Sequence, residues 1–301
     1  MNGNSGPVGV VGLGLIGTSL AKRLLGAGFE VHGYDVDTAR LEALADLGGR
    51  RASSLQELGE RCPAILISVL NTDQVEAVCE SDAPGGPMQL GAGHVVICTS
   101  TCDPDRIAAL ATRVEQTGAG FVEMPLSGNS DQIGLGNGVG LVGGNRDVVN
   151  AVAPVLDAIS PKRHHVGAVG AGGRTKLAVN LVGGLNRAVL AEGLAFAESL
   201  GLELMPFLEV LKSSAAYSRT MDNRGAKMAL SDFTPHAKVS QSRKDIMLMH
   251  EAARRSGQEL PLASVYLQLI EGCLAHGEGE LDNSAIIQEV RRRKTPPAVR
   301  P

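Results

Sequence analysis

Short apolar runs and longer amphipathic segments alternate along the first half of the chain. Six runs rich in Val, Ile and Leu predict β-strands: VGVVGL from residue 8, EVHGYD from 30, AILISV from 64, HVVICTS from 94, GFVEMPL from 120 and VGLVGG from 139. Between them, apolar residues recur at helical spacing in segments such as TSLAKRLLGAG, DTARLEALADL and DPDRIAALATRVEQTG. This alternation is typical of βαβ units, so the sequence predicts an α/β fold with a doubly wound, largely parallel sheet.

The pattern changes after about residue 165. From Gly172 to Leu202 the apolar residues keep a helical spacing without a strand, and residues 237–256 and 261–276 show the same period. The second half is therefore predicted to be all helical and to begin with a long interdomain helix. A helix of about thirty residues presents more apolar surface than one small domain covers, which predicts a homodimer or homotetramer built through this half.

Composition and charge argue against several classes of protein. The chain has 301 residues, a formal net charge of −4 and no tryptophan. Neither a basic surface nor an aromatic stacking platform supports nucleic acid binding. No apolar run of about 18 residues is present that could span a bilayer, and a signal peptide is not expected. We expect a cytoplasmic protein with no membrane partner.

The five cysteines are odd in number and scattered, which fits reduced thiols better than a disulfide framework. His94, Cys98 and Cys102 have a spacing that suggests a metal site. However, the segment from His94 to Cys98 is predicted to be a strand, in which residues four apart lie more than about ten ångströms from each other. No second ligand cluster follows, so we expect no metal.

The first predicted strand runs into a glycine pattern and then into a helix. Gly12, Gly14 and Gly17 form a GxGxxG, and the second strand ends in Asp35. Glycine at these positions permits a tight turn, the approach of a pyrophosphate and close helix packing, while the helix N-terminus stabilises the phosphate charge. The sequence thus predicts three regions: a Rossmann-like dinucleotide-binding domain over 1–165, a helical substrate and oligomerisation domain over 166–293, and a flexible tail over 294–301.

Asp35 also indicates which dinucleotide binds. At the end of the second strand, its carboxylate can accept hydrogen bonds from the ribose hydroxyls of NAD. The 2′-phosphate of NADP would meet a like charge there, and the segment YDVDTAR offers only Arg40 as a cation. We therefore expect NAD to be preferred over NADP.

The segment GAGGRTKLAVN, residues 170–180, places a lysine and an asparagine just after a group of glycines. Lys176 and Asn180 are four residues apart, so on a helix they project from the same face towards a shared target. A surface lysine and a surface asparagine on a solvated helix are the alternative. Gly183 and Gly184 follow, and each costs about 1 kcal/mol in a helix interior. We expect a close-packed neighbour to explain both glycines.

The chain carries five motifs in a fixed order: GLGLIG, STCDP, MPLSGN at 124–129, GAGGRTKLAVN at 170–180 and RKDIML at 243–248. With these motifs it resembles, nearly end to end, the β-hydroxyacid dehydrogenases. That family includes 3-hydroxyisobutyrate dehydrogenase and tartronate semialdehyde reductase, and 6-phosphogluconate dehydrogenase is a more distant member.

The resemblance implies roles for individual residues. Lys176 matches the catalytic lysine and Asn180 matches its substrate-orienting partner. The implied substrate-binding set is Ser127, Gly128, Asn129, Lys176 and Asn180, in which Asn129 replaces the second glycine usual in the family. The implied cofactor-binding set is Gly12, Leu13, Gly14, Leu15, Ile16, Gly17, Asp35, Leu70, Thr101 and Lys244.

The implied activity is that of an NAD-dependent oxidoreductase. It would interconvert a short 3-hydroxyacid, or a similar anionic hydroxy compound, and its semialdehyde or oxo form, in the cleft between the two domains. Lys176 would be the general acid and base, because His164 and His165 fall at the domain junction and are expected to be structural. The identity of the substrate stays open. Arg243, next to Lys244, is hypothesised to meet a second anionic group of the substrate.

Two alternatives remain at this point. An imine or ketimine reductase has a similar layout, but that class usually replaces the lysine at position 176. A non-catalytic dinucleotide-binding scaffold is the other, and the retained Lys176 and Asn180 argue against it.

Overall fold

The computed structural model describes residues 6–80 and 88–294. The chain forms two compact units, one that ends at Leu177 and one that begins at Ala178. Residues 295–301, which make up nearly all of the expected tail, lie outside the described residues. Within the described ranges, no helix is both long and apolar enough to cross a membrane.

The first unit is built around one sheet. The strands found in the described part of the chain are β1 (Val8–Val11), β2 (Val31–Tyr34), β3 (Arg50–Arg51), β4 (Ala64–Ile67), β5 (Val95–Cys98), β6 (Gly120–Glu123), β7 (Leu126–Ser127), β8 (Val139–Gly144) and β9 (Lys162–Gly167). Their order is β3-β2-β1-β4-β5-β6-β8-β7, and β9 pairs with β8. Strands β1 to β6 pair in parallel, whereas β8 is antiparallel to β6 and β7. The predicted α/β fold with a largely parallel sheet is confirmed.

Helices cover both faces of this sheet. They are α1 (Leu15–Gly26), α2 (Thr38–Asp46), α3 (Leu55–Arg61), α4 (Thr72–Glu80), α5 (Pro104–Gln116), α6 (Ser130–Gly134), α7 (Arg146–Ala151) and α8 (Ala153–Ile159). Successive residues of β4 alternate between two apolar clusters: Leu66 packs with Leu20 of α1, and Ile65 packs with Leu110 of α5. This alternation explains why the central strands are apolar at every position.

Three strands, β3, β7 and β9, lie outside the six predicted runs. β3 and β7 have two residues each, which is too few to show a period. β9 has the polar sequence KRHHVG, and its place depends on pairing with β8. The ring of His165 donates to the carbonyl of Gly144 at 2.9 Å, which gives that histidine a structural role.

The long helix α9 spans Ala171–Ser199, close to the predicted range of 172–202. A neighbour explains Gly184, because an added Cβ there would lie 2.8 Å from Cε1 of Tyr266. The same expectation is wrong for Gly183, where an added Cβ would meet open space. No contact among the described residues explains that glycine.

The second unit is helical. After α9 it contains α10 (Leu204–Ser213), a π-helical turn (Met221–Gly225), α11 (Ala226–Leu230), α12 (Val239–Ser256), α13 (Pro261–Ala275), a 3-10 turn (Asn283–Ala285) and α14 (Ile286–Arg292). Asp282 is fully buried and joins these pieces. Its carboxylate accepts from the backbone amides of His236 and Ala237 at 2.8 and 3.2 Å and from the Ser284 hydroxyl at 2.8 Å. The guanidinium of Arg224 lies 3.6 Å away and balances the buried charge.

Candidate active site

The glycine pattern forms a turn between β1 and α1 that leaves no room for side chains at two of its positions. Gly12 has φ +87, and an added Cβ would lie 2.5 Å from the carbonyl oxygen of Ser68. At Gly17 an added Cβ would lie 1.9 Å from the carbonyl oxygen of Gly12. Gly14 is different, because an added Cβ would meet only Arg40 Nη1, at 4.0 Å. Gly14 is also the N-cap of α1 and supplies no side-chain acceptor, which suits the helix start to an anion.

Asp35 is fixed next to this turn. Its side chain is buried, and Oδ2 accepts from the amide of Leu13 at 2.6 Å while Oδ1 accepts from the amide of Asp37 at 2.9 Å. Arg40 Nη1 lies 3.3 Å from Oδ2. The carboxylate is thus positioned by backbone on two sides, as a fixed acceptor for ribose hydroxyls requires.

The other predicted cofactor residues of the first unit lie along the same edge of the sheet. Since β1, β2, β4 and β5 are parallel, the segments that follow them emerge at one edge, where doubly wound folds bind their ligands. Leu70 and Leu15 are exposed there, whereas the side chain of Leu13 is buried in the core. Thr101 lies between β5 and α5. Asp103 caps α5, because its Oδ1 accepts from the amide of Asp105 at 2.9 Å.

Asn129 begins the short helix α6. Its side-chain oxygen accepts from the amide of Gln132 at 2.8 Å, and the Gln132 side chain accepts from the amide of Asn129 at 3.1 Å. These two bonds form a capping box, which explains in structural terms why asparagine occupies this position. Gly128 before it has φ +147, a conformation that favours glycine.

Lys176 reaches the segment that contains Ser127. The lysine lies in the second turn of α9 and is 7% exposed. Its Nζ donates to the carbonyl oxygen of Leu126 at 2.6 Å. The structure therefore places the ammonium beside the MPLSGN segment, 50 residues away along the chain.

Asn180 lies one helical turn after Lys176, in the part of α9 that belongs to the second unit. Its Nδ2 donates to Asp245 Oδ2 at 2.9 Å. Asp245 also pairs with Lys244, whose Nζ lies 3.1 Å from Oδ1. An ionised carboxylate only accepts hydrogen bonds, so the amide nitrogen must face Asp245 and the amide oxygen is turned away from it.

The candidate side chains elsewhere have structural partners. Arg243 Nε donates to Glu271 Oε1 at 2.7 Å, so Arg243 is paired within the second unit. The ring of His94 bonds to the carbonyl of Gly59 at 2.9 Å. Among the described residues, no group of three or more His, Cys, Asp or Glu side chains is arranged to hold a metal ion.

Two acidic residues near the candidate side chains were not among the site residues predicted from the sequence. Asp245 orients Asn180, and its only signal in the sequence is its place in RKDIML. Glu123 ends β6 and is 3% exposed. Its signal in the sequence is an acidic residue at the end of an apolar strand, because acidic side chains are seldom buried.

Known proteins with the same organisation cover nearly the whole chain. Residues 7–167 match the family model for the NAD binding domain of 6-phosphogluconate dehydrogenase. Residues 170–290 match the model described as NAD-binding of NADP-dependent 3-hydroxyisobutyrate dehydrogenase.

Individual relatives agree with these models. The chain is 33% identical to L-threonate dehydrogenase of Cupriavidus necator, over 93% of this chain and 95% of the relative. It is 30% identical to 2-(hydroxymethyl)glutarate dehydrogenase of Eubacterium barkeri, over 93% of each. The crystal structure of 3-hydroxyisobutyrate dehydrogenase from Salmonella typhimurium has a TM-score of 0.85 at 27% identity, and covers 93% of this chain and 98% of that one.

This chain has a glycine turn after β1, a fixed carboxylate after β2 and a buried lysine beside the MPLSGN segment. It is also similar in sequence to named dehydrogenases over nearly its whole length. The chain belongs to the β-hydroxyacid dehydrogenase family and is an oxidoreductase that interconverts a hydroxyacid and its oxo form with a nicotinamide dinucleotide.

Proposed function

We propose that this enzyme oxidises a short 3-hydroxyacid to its semialdehyde with NAD, and catalyses the reverse reduction, with Lys176 as the proton-transfer group. The observation that carries the proposal is the 2.6 Å hydrogen bond from Lys176 Nζ to the carbonyl of Leu126. It fixes a buried amine next to Ser127, the residue expected to bind the substrate carboxylate.

A nicotinamide dinucleotide, when bound, would supply the hydride chemistry, and side chains of the protein must move the accompanying proton. In oxidation the neutral amine of Lys176 takes the proton of the substrate hydroxyl. In reduction its ammonium returns that proton to the carbonyl oxygen. The Leu126 carbonyl accepts from Nζ and keeps the amine in place through both directions.

The carboxylate of the substrate binds to the Ser127 hydroxyl and to the turn at Gly128. A hydroxyl together with backbone amides in a glycine turn suits a carboxylate group. Asn180 lies one turn after Lys176 on the same helix. Its amide nitrogen donates to Asp245, so its amide oxygen points away from the Asp245 carboxylate. We assign Asn180 to hold the reacting oxygen of the substrate in position.

The preference for NAD over NADP rests on Asp35. Its two backbone hydrogen bonds fix an anion where the adenosine ribose of a dinucleotide binds in this type of fold. Arg40, the neighbouring cation, already lies 3.3 Å from that carboxylate. A 2′-phosphate would have to compete with Asp35 for Arg40.

The names of two relatives support a narrower class of substrate for this chain. L-threonate and 2-(hydroxymethyl)glutarate, the compounds in the names of two relatives, are both hydroxy compounds with a carboxylate. We propose an anionic 3-hydroxyacid of similar size for this chain.

A seven-residue spacing of exposed apolar residues on α9 supports self-association. Val182, Val189 and Phe196 are 60, 68 and 63% exposed and recur on one face of the helix. We propose that this face, which we call the α9 stripe, forms a homodimer or homotetramer contact. A cytoplasmic location is proposed as well, since all five cysteines are free thiols, four of them buried.

The test of the function is a substrate panel. The purified enzyme is incubated with NAD or NADP and each of a set of 3-hydroxyacids, 2-hydroxyacids and cyclic amines, and reduced cofactor is followed by absorbance. We expect turnover of at least one 3-hydroxyacid with NAD. Turnover of cyclic amines alone, or tight NAD binding with no turnover at all, would overturn the proposal.

A further inference from the structure

The carboxylate of Glu123 is buried at the end of β6. The residue is 3% exposed, and Oε1 makes no hydrogen bond to any described residue. Burial raises the pKa of Glu123, and the backbone amides of Gly173, Gly172 and Gly170 act in the opposite direction because they stabilise its charged form. Burial of a carboxylate is costly unless hydrogen bonds compensate it, and these glycine amides supply that compensation.

Three glycines make room for this side chain. An added Cβ at Gly143 would lie 2.6 Å from Oε1. One at Gly172 would lie 3.0 Å from the same atom and 2.5 Å from the carbonyl oxygen of Leu141. At Gly173 an added Cβ would lie 3.3 Å from Oε2. The glycines at the start of α9 therefore let a carboxylate pack against the first turn of the helix, where its negative charge is favoured.

The segment that carries Glu123 contacts α9 at two levels. Glu123 packs against Gly172 in the first turn, and three residues later the Leu126 carbonyl accepts from Lys176 in the next turn. Both contacts lie within the first unit. A shift of the helix start relative to β6 would therefore change the distance between Lys176 Nζ and its acceptor.

We propose that Glu123 is a positioning residue that fixes the first turn of α9 and thereby holds the Lys176 amine on the Leu126 carbonyl. The proposal rests on the function assigned above to Lys176. Glu123 itself contacts neither substrate nor cofactor in this scheme. Its carboxylate acts through the helix that bears the lysine.

The first experiment compares Glu123→Gln with wild type. Glutamine keeps the volume but removes the charge and turns an NH2 group towards amides that already donate. We expect kcat to fall at least tenfold while the Kd for NAD stays within twofold. In a Lys176→Ala background, Glu123→Gln should lower kcat no further, because the group through which it acts is gone. A loss of less than threefold, or additive losses in the double variant, would overturn the proposal.

Ser54→Ala is the matched control for stability. Ser54 caps α3 in the same unit, with its hydroxyl 3.1 Å from the amide of Glu57, and lies outside the proposed site. A merely structural role for Glu123 predicts that both variants lose Tm and keep kcat well below that Tm. Positioning predicts that only the Glu123 variant loses kcat.

The accessibility of the Lys176 amine can also be measured without enzymatic turnover. Limited reductive methylation followed by peptide mass spectrometry gives the labelling rate of its amine. We expect Glu123→Gln to raise that rate at least threefold and Ser54→Ala to leave it unchanged. An unchanged rate in Glu123→Gln contradicts positioning even if the substrate panel finds no 3-hydroxyacid, so failure of the two proposals is distinguishable.

Two further variants carry the test if Glu123→Gln does not fold. Glu123→Asp keeps the charge but withdraws it by one methylene, and should lower kcat and raise the labelling rate of Lys176 relative to wild type. Gly143→Ala leaves the carboxylate intact, but its methyl group would press against Oε1 and against the carbonyl oxygen of Ala168, so it should raise the labelling rate of Lys176. Wild-type kcat and labelling in both variants would overturn the proposal.

Discussion

The amine of Lys176 and the carbonyl of Leu126 lie 2.6 Å apart and join two segments that are 50 residues apart in the chain. The acceptor directly precedes Ser127, so the hydrogen bond sets where a proton-transfer group stands relative to the segment expected to bind the substrate. A side chain with four rotatable methylenes gains precision from such a bond, since a misplaced acid or base loses most of its effect.

Replacing Lys176 by alanine should remove the proton transfer and leave the dinucleotide site intact. We expect kcat to fall about 100-fold or more, the usual scale for a positioned acid or base, with the Kd for NAD unchanged. Steady-state kinetics and NAD titration measure the two quantities. Lys162→Ala, which changes an exposed lysine on β9, is the control. If the Lys176 variant keeps more than about a tenth of wild-type turnover, the assignment is wrong.

Removing the charge of Asp35 should weaken the choice of NAD. Wild type is expected to have a kcat/KM at least tenfold higher with NAD than with NADP. The reason is the repulsion between Asp35 and the 2′-phosphate of NADP. In Asp35→Asn the side-chain oxygen can still accept from Leu13, but Arg40 loses an anionic partner and the ratio should fall about tenfold. Asp46→Asn removes an exposed charge at the end of α2 and should change the ratio little. Equal use of both cofactors by wild type would contradict the prediction.

Breaking the pair between Asn180 and Asp245 should misorient the amide. Asp245→Ala leaves Asn180 without its 2.9 Å partner, and we expect kcat/KM for the hydroxyacid to fall about tenfold. The effect should shrink in an Asn180→Ala background, which a double-mutant cycle measures. Glu251→Ala, on the same helix and paired with Arg254, serves as the control. Fully additive losses would show that Asp245 acts independently of Asn180.

Acid should selectively weaken the second unit through Asp282. Burial raises the pKa of this carboxyl, but Arg224 and the amides of His236 and Ser284 outweigh that effect and hold the pKa below its usual 3.8. The stabilisation is therefore complete above about pH 4 and is lost as the pH falls through the lowered pKa. Asp282→Asn should cost about 3 kcal/mol in the free energy of unfolding at pH 7, and less on acidification.

Urea unfolding followed by circular dichroism between pH 3 and 7 tests this prediction. Glu259→Gln, an exposed residue of the same unit, controls for general charge effects. A difference between wild type and Asp282→Asn that does not depend on pH would exclude the proposed role of the charge.

A charge within the α9 stripe should dissociate the assembly. Light scattering at micromolar concentration should give wild type a mass above that of one chain, and Val189→Arg should lower it. Leu230→Arg changes an equally exposed apolar residue on α11 and should not. A monomeric mass for wild type would contradict the oligomer proposal.

The sequence predicted the sheet well because its central strands are apolar throughout and are separated by amphipathic helices. It missed β3, β7 and β9, which are too short or too polar to show a period. The position of β9 depends on pairing with β8, and such non-local pairing leaves no local pattern.

The predicted site followed from motifs, whereas its supporting contacts did not. The spacing of Lys176 and Asn180 needed only a helix, which the structure contains. The acceptor for Lys176 and the partner of Asn180 are 50 and 65 residues away, so no local pattern identifies them. Asn129 illustrates the opposite case, since its capping box with Gln132 is local and readable in NSDQ.

The three glycines of the turn after β1 differ in what excludes a side chain at each position. The backbone of the protein itself forbids a side chain at Gly12 and Gly17, whereas Gly14 faces open space up to Arg40. Alanine at 12 or 17 would therefore destabilise the fold whether or not a cofactor is bound. Alanine at 14 is expected to leave the fold intact and to weaken dinucleotide binding, because in this type of fold the second glycine lets the pyrophosphate approach the backbone.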